Sequence, residues 1–225
     1  MNRRLQAIEE KINDGCGMID VGTDHGIIPI RLALRGYTGN IFASDIHAGP
    51  LEAAKRNAAT AGVSDRIRFL LCDGLSRCPP DAVDTIVIAG MGGDMIVKIL
   101  DEAEFCMHSR YQLILQPMTR AEVLRYWLVY NEFEILSECI VEENGGIYQL
   151  LTARFGGVTA LNDAELFCGK RALAEDETRW LHSLAAQEER LQKALEGLQS
   201  GSAEGEREKL YCEILKQMRQ MRGET

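Results

Sequence analysis

From Gly17 to Phe155, short runs rich in Val, Ile and Leu alternate with longer stretches whose apolar positions recur every three or four residues, the pattern of strands alternating with amphipathic helices. The spacing predicts strands over 17–21, 40–44, 67–71, 85–89, 112–115, 133–141 and 147–153. The first five are separated by enough chain for helical crossovers, so they are expected to run parallel in one sheet with helices on both faces. Only Glu142, Glu143, Asn144, Gly145 and Gly146 separate the last two. That connection is too short for a crossover and predicts an antiparallel hairpin.

The pattern changes after Gly156-Gly157. Strand-like runs stop, and Trp180, Leu181, Leu184, Leu191, Leu195 and Leu198 follow a helical repeat in which Glu188 interrupts the seam. A second helix carries Leu210, Tyr211, Ile214, Leu215, Met218 and Met221, with a turn expected at Gly201-Ser202-Ala203-Glu204-Gly205. These two helices are expected to form a coiled-coil hairpin, preceded by a shorter helix near 163–173. The predicted division is a sheet domain over 1–157 and a helical coiled-coil domain over 158–225.

The formal net charge of −9 argues against a partner such as bulk DNA or a membrane surface, which acidic chains repel. A structured RNA stays possible, because a local basic strip can grip phosphates, and Arg3, Arg4, Lys11, Arg31 and Arg35 are close enough in sequence to build one. The seven cysteines are odd in number and none forms a C-x-x-C pair, so neither a disulfide framework nor a zinc site is expected. His25, His47, His108 and His182 share no metal-ligand spacing, and no metal is expected. The charged stretch 1–14 and the lack of a long apolar run predict a soluble, cytoplasmic protein.

Candidate chemistry gathers where the strands end. Met18-Ile19-Asp20-Val21-Gly22-Thr23-Asp24-His25-Gly26 leads into an apolar helix from about Ile27, and Gly22 lets the backbone approach a nucleoside cofactor closely. A nicotinamide site would want glycine where Asp24 stands. A carboxylate there opposes a pyrophosphate but suits a ligand bearing a sulfonium and an ammonium, so S-adenosylmethionine fits better than NAD. Capping the following helix is an equally good use of Asp24. Asp45, about twenty residues beyond Gly22, is placed to accept ribose hydroxyls with Ile46 beside it. Asp73-Gly74 follows the third strand, and Asp20, Asp45 and Asp73 are expected at one edge of the sheet. The fourth strand runs into Ala89-Gly90-Met91-Gly92-Gly93, read as a loop close to cofactor or target, or else as a tight strand-to-helix turn.

Five parallel strands followed by a hairpin, with these carboxylates, resemble the Rossmann-like sheet of class I methyltransferases, in which the last strand inserts antiparallel. More specifically, the segments from Asp20 to Gly26, Gly49-Pro50, Asp73-Gly74-Leu75, Ile88 to Gly93, Leu113 to Pro117 and Leu124 to Leu128 resemble the TrmK family in order. That resemblance implies methylation of N1 of adenine 22 in bacterial tRNA, S-adenosylmethionine as cofactor and a C-terminal coiled coil. It implies a cofactor site at Asp20, Gly22, Asp24, Asp45, Ile46, Asp73, Gly74, Ala89 and Gly90. Asp24 and His25 would shape the reacting geometry, and Gly92 and Gly93 would allow close approach. The chain departs from the family pattern at Met118, where Asn is common, and at Gln149, where Glu is expected. Phosphate contacts are expected from Arg3, Arg4 and Lys11 and from the hairpin's Lys209, Lys216, Arg219 and Arg222. A methyltransferase of a small molecule or protein shares the carboxylates, and a noncatalytic partner-binding module is the remaining alternative.

Overall fold

The computed structural model describes residues 2–199 and 205–223. In chain order the elements are α1 (Arg3–Lys11), β1 (Met18–Val21), α2 (Ile27–Leu34), β2 (Ile41–Asp45), α3 (Ala48–Thr60), β3 (Ile67–Leu71), β4 (Thr85–Gly92), α4 (Gly93–Asp101) and β5 (Gln112–Thr119). They continue with α5 (Ala121–Tyr130), β6 (Phe133–Glu143), β7 (Gly146–Phe155), α6 (Asp163–Cys168), α7 (Glu177–Gln199) and α8 (Gly205–Arg222).

One sheet of order β3-β2-β1-β4-β5-β7-β6 contains all seven strands. The pairs from β3 through β5 are parallel, and β7 lies antiparallel between β5 and β6. Alternation along the strands divides the core between the two faces. Ile19, Val21, Ile86, Ile88, Leu113 and Leu115 face α4 and α5, whereas Met18, Val87 and Ile114 face the other way with Ile8 of α1 and Ile28 and Leu32 of α2. The strand order reverses between β1 and β4. In an open parallel sheet that reversal leaves a crevice at the carboxyl edge, because successive crossovers leave on opposite faces.

Three regions differ from what the sequence predicts. First, β4 and β5 continue three and four residues further, to Gly92 and Thr119, with register shifts around Met91. The glycines at 90 and 92 and Pro117 hid this extension, which a bulge at Gly90 (φ +81°) accommodates. Second, Asn144 and Gly145 both have positive φ and form a two-residue turn, so the hairpin strands are longer than predicted. Third, α6 stops at Cys168, because Gly169 (φ +81°) turns the chain out of the helix. Its start is fixed by a capping box between Asn162 and Glu165.

In the C-terminal unit, Trp180, Leu184, Leu191 and Leu195 of α7 pack on Ile214, Leu215 and Met218 of α8. Glu188 does not break this seam; it accepts Arg219 (3.3 Å) and Arg222 (2.5 Å) from the facing helix. The turn expected over 201–204 lies outside the described residues. The helical unit is tied to the sheet by a buried polar node. Arg125 of α5 donates to Glu138 of β6 (2.5 and 3.2 Å), to the Leu166 carbonyl (2.9 Å) and to Gln149 of β7 (3.1 Å). Gln149 in turn donates to Ser183 of α7 (3.2 Å). The glutamine that departs from the family pattern thus belongs to this junction.

Candidate active site at the carboxyl edge of the sheet

At the crevice, β1 ends in Gly22 (φ +69°), where a Cβ would come within 2.2 Å of the Met91 side chain. The chain then turns through Thr23, whose N–H donates to the Ser44 carbonyl (2.9 Å), and enters α2 at Gly26. Gly26, in the left-handed region, is the N-cap, and α2 has no side-chain cap. Asp24 (φ +50°) is therefore not the cap that the sequence allowed; it stands exposed with His25, their side chains 3.7 Å apart.

Two adjoining cavities open here. The larger, of about 570 Å³, is lined by Gly22, Asp24, Asp45, Ile46, Asp73, Gly74, Ala89 and Gly90, together with His47, Pro50, Met91, Met95, Lys98 and Ile99. Asp45 closes β2 and is buried; its Oδ1 accepts the His47 N–H (2.8 Å). Asp73 lies two residues past the end of β3, so these two carboxylates stand at neighbouring strand ends. The smaller cavity, of about 310 Å³, is lined by Asp20, Thr23, Asp24 and His25 on one side and by Asn2, Arg4, Leu5 and Met118 on the other. Gly22, Asp24, Ala89 and Gly90 line both.

Asp20 belongs to the smaller cavity, whereas Asp45 and Asp73 belong to the larger. It is 5% exposed, and burial pushes its carboxyl up to about 7, opposed by the Thr23 hydroxyl that donates to it (2.7 Å) and reinforced by the negative Asp45. Arg4 reaches the same cavity from α1. Its Nη1 donates to the buried Gln116 (2.7 Å), and the guanidinium lies 5.3 Å from the centre of the Tyr148 ring.

Gly92 and Gly93 are not where the sequence reading put them. Neither lines a cavity. A Cβ on Gly93 would sit 2.1 Å from the Arg120 carbonyl oxygen and one on Gly92 3.1 Å from Thr119, so both residues serve the approach of β4 to the end of β5. The expected basic strip is also dispersed. Arg31 is paired with Glu9 and Lys11 with Glu175, while the Arg3 backbone N–H donates to Glu143 (2.6 Å). Of the hairpin cations, Arg219 and Arg222 are spent on Glu188, and Lys216 faces Glu213 at 3.7 Å.

The sequence reading missed the wall from α4. Met95, Lys98 and Ile99 share one helical face, a spacing that was there to be read. Arg4, expected as a phosphate contact near the cofactor mouth, lines the smaller cavity because α1 packs across β6 and β7. Among the described residues, no group of three or more His, Cys, Asp or Glu is placed to hold a metal, and no helix is long and apolar enough to cross a membrane.

Residues 1–151 match the methyltransferase domain family. A tRNA (adenine(22)-N(1))-methyltransferase of Bacillus subtilis is 34% identical over 163 residues, covering 72% of this chain and 68% of that protein. The crystal structure of the B. subtilis m1A22 tRNA methyltransferase TrmK superposes with a TM-score of 0.79 at 29% identity, over 98% of this chain and 95% of that one. A Streptococcus pneumoniae protein assigned as a tRNA (m1A22) methyltransferase, solved with S-adenosyl-L-methionine, gives 0.82 at 28% identity over 98% of both chains. The chain therefore belongs to the methyltransferase domain family and, within it, to the TrmK family of tRNA (adenine(22)-N(1))-methyltransferases.

Proposed function

We propose that this chain is a cytoplasmic S-adenosylmethionine-dependent enzyme that methylates N1 of adenine 22 in tRNA, with the cofactor in the larger cavity and the target adenine in the smaller. The observation that carries the reading is the wall the two cavities share. Gly22, Asp24, Ala89 and Gly90 border both, so ligands in the two cavities would meet across the same four residues. The residues fit the cofactor. Asp45 keeps an oxygen for ribose hydroxyls after taking the His47 N–H, Ile46, Met95 and Ile99 offer apolar faces to a purine, and Asp73 stands within reach of its edge. Gly22 and Gly90 leave room at the joint, since both have positive φ and no Cβ.

When bound, the cofactor supplies an electrophilic methyl group on a sulfonium. Adenine N1 carries an in-plane lone pair and attacks that carbon directly. The N1–C bond forms as the S–C bond breaks, the sulfur keeps the electron pair, and the positive charge moves to the base. No proton need be removed, so the chain's residues act by position and charge. Holding N1 and the methyl in line is worth ~7–11 kcal/mol. Asp20 and Asp24 line the cavity into which the charge moves, where carboxylates stabilise the cationic product ring. Asp24 and His25 shape that cavity's rim. Residues 1–157 make up the catalytic domain in this proposal, and 158–225 form a helical domain that helps to hold the RNA.

The test is methylation of transcribed tRNA carrying adenosine or guanosine at position 22, read as a reverse-transcription stop. A stop only with adenosine supports the reading; methyl transfer to protein or small molecules but not tRNA would replace it. Asp45→Ala should weaken cofactor binding by calorimetry, because a lost charged hydrogen bond costs ~1.5–3 kcal/mol, about 10- to 150-fold in Kd. Unchanged affinity would remove Asp45 from the site.

A further inference from the structure

A third cavity, of about 410 Å³, lies where the sheet domain meets the helical unit. Three guanidinium groups from three separate segments enter its lining: Arg120 between β5 and α5, Arg190 of α7 and Arg207 of α8. Phe167 and Tyr211 supply aromatic walls. Glu122 is the one carboxylate among the lining residues and Asp94 meets Arg120 from outside it, so arginines outnumber these two carboxylates on a chain of net charge −9. We infer that it binds one phosphodiester of the RNA substrate together with the adjoining base, beside the cavity for the target adenine. This inference rests on the function proposed above.

Placement supports it. Met118 lines the target cavity and Arg120 lines this cleft, and two residues of extended chain span only ~7 Å. Successive nucleotides on an extruded strand could therefore fall in the two cavities. Arg120 is held there. It takes the left-handed conformation (φ +55°), its Nη1 lies 3.1 Å from Asp94, and its carbonyl occupies the space that the missing Cβ of Gly93 leaves. The glycine expected to serve catalysis thus fixes the position of an arginine instead.

The chemistry of the lining selects the ligand. A guanidinium presents five donors in a planar fork that matches two phosphate oxygens. Arg120 faces Asp94, and Arg190 faces Glu122 at 3.5 Å and donates to Gln187 (3.3 Å), contacts that do not use up the five donors of a fork. Arg207 lies over the Tyr211 ring at 5.4 Å and donates to its hydroxyl (3.1 Å). Aromatic faces alternating with arginines are the surface on which unpaired bases stack. An acidic peptide would use the charges but leave the rings idle.

The experiment compares wild type with an Arg190→Gln/Arg207→Gln double variant, using transcribed tRNA as the probe. Filter binding across a salt series should show Kd raised at least tenfold and the slope of log Kd against log salt reduced by about one, the signature of one lost phosphate contact. S-adenosylmethionine affinity and kcat at saturating tRNA should stay within twofold, with KM for tRNA raised. Arg190→Lys should fall between wild type and Arg190→Gln, because it keeps the charge and loses the fork. If the double variant is unstable, Arg207→Gln alone, at an exposed position, should still raise Kd several-fold. A wild-type Kd and slope in a folded variant overturn the inference, as does an effect confined to self-association in sedimentation. If wild type itself fails to bind tRNA, the proposed function falls and takes this inference with it, a result read before any variant is made.

Discussion

Replacing Arg125 by Met tests what joins the helical unit to the sheet. The guanidinium is fully buried and meets Glu138, itself 1% exposed, through two hydrogen bonds. It also caps the carbonyls of Leu166 (2.9 Å) and Phe167 (3.3 Å) near the end of α6. Methionine has similar length and no donor. Glu138 would keep the Lys170 backbone N–H (3.2 Å), leaving a buried carboxylate with no counter-charge in the node. Breaking one partner out of a buried pair costs ~3–5 kcal/mol, a large share of the ~5–15 kcal/mol that holds a domain folded. Glu138→Gln keeps an acceptor but leaves the buried Arg125 guanidinium, which cannot shed its proton, without a counter-charge, so it should cost a similar ~3–5 kcal/mol. Urea unfolding in a Trp127→Phe background isolates Trp180, which is fully buried in the helical unit with its Nε1 donating to the Gly169 carbonyl (3.1 Å). The Trp180 transition should move to much lower urea in both Arg125→Met and Glu138→Gln. A loss below ~1 kcal/mol in either variant would refute the account of the node as a charge-compensated junction.

Two further outcomes follow from the site. Asp20 titrates near 7 in the folded chain and at its ordinary 3.8 when unfolded, so the folded state binds the extra proton between those values. Stability of the ligand-free protein should therefore fall as pH rises from about 4 to about 7 and level off above. A cationic ligand favours the carboxylate, so S-adenosylmethionine affinity should rise across pH 6 to 8 and lose that dependence in Asp20→Asn; calorimetry giving a flat wild-type profile would contradict this. Gly93→Ala should lower the melting temperature, at a cost of ~1–3 kcal/mol for forcing a methyl against the Arg120 carbonyl, yet leave cofactor affinity intact, since Gly93 lines neither cavity. Tighter or weaker cofactor binding in that variant would restore Gly93 to the site.

The parts of the fold legible in the sequence are those that each segment specifies by itself. The apolar runs of β1, β4 and β5 announced strands buried on both faces, and the short connection from β6 to β7 required a hairpin whatever the rest of the chain did. Asp45 and Asp73 were readable for the same reason: each sits at the end of its own strand, and parallel strands bring their carboxyl ends to one edge. What was not legible depends on segments far apart in sequence. Gln116 and Gln149 look alike within their strands, yet Gln116 holds Arg4 at the smaller cavity while Gln149 bonds to Arg125 and Ser183. Glu188 looked like a flaw in a seam because Arg219 and Arg222, which satisfy it, arrive from the next helix. Strand ends at β4 and β5 were misplaced because glycine and proline discourage a strand by propensity, whereas a bulge keeps the pairing going. The division falls along function. The larger cavity is built by consecutive strand-to-helix turns, so its signature is local. The smaller cavity and the cleft beside it are completed by α1, the end of β5 and the helical unit, and those long-range placements leave no local signature.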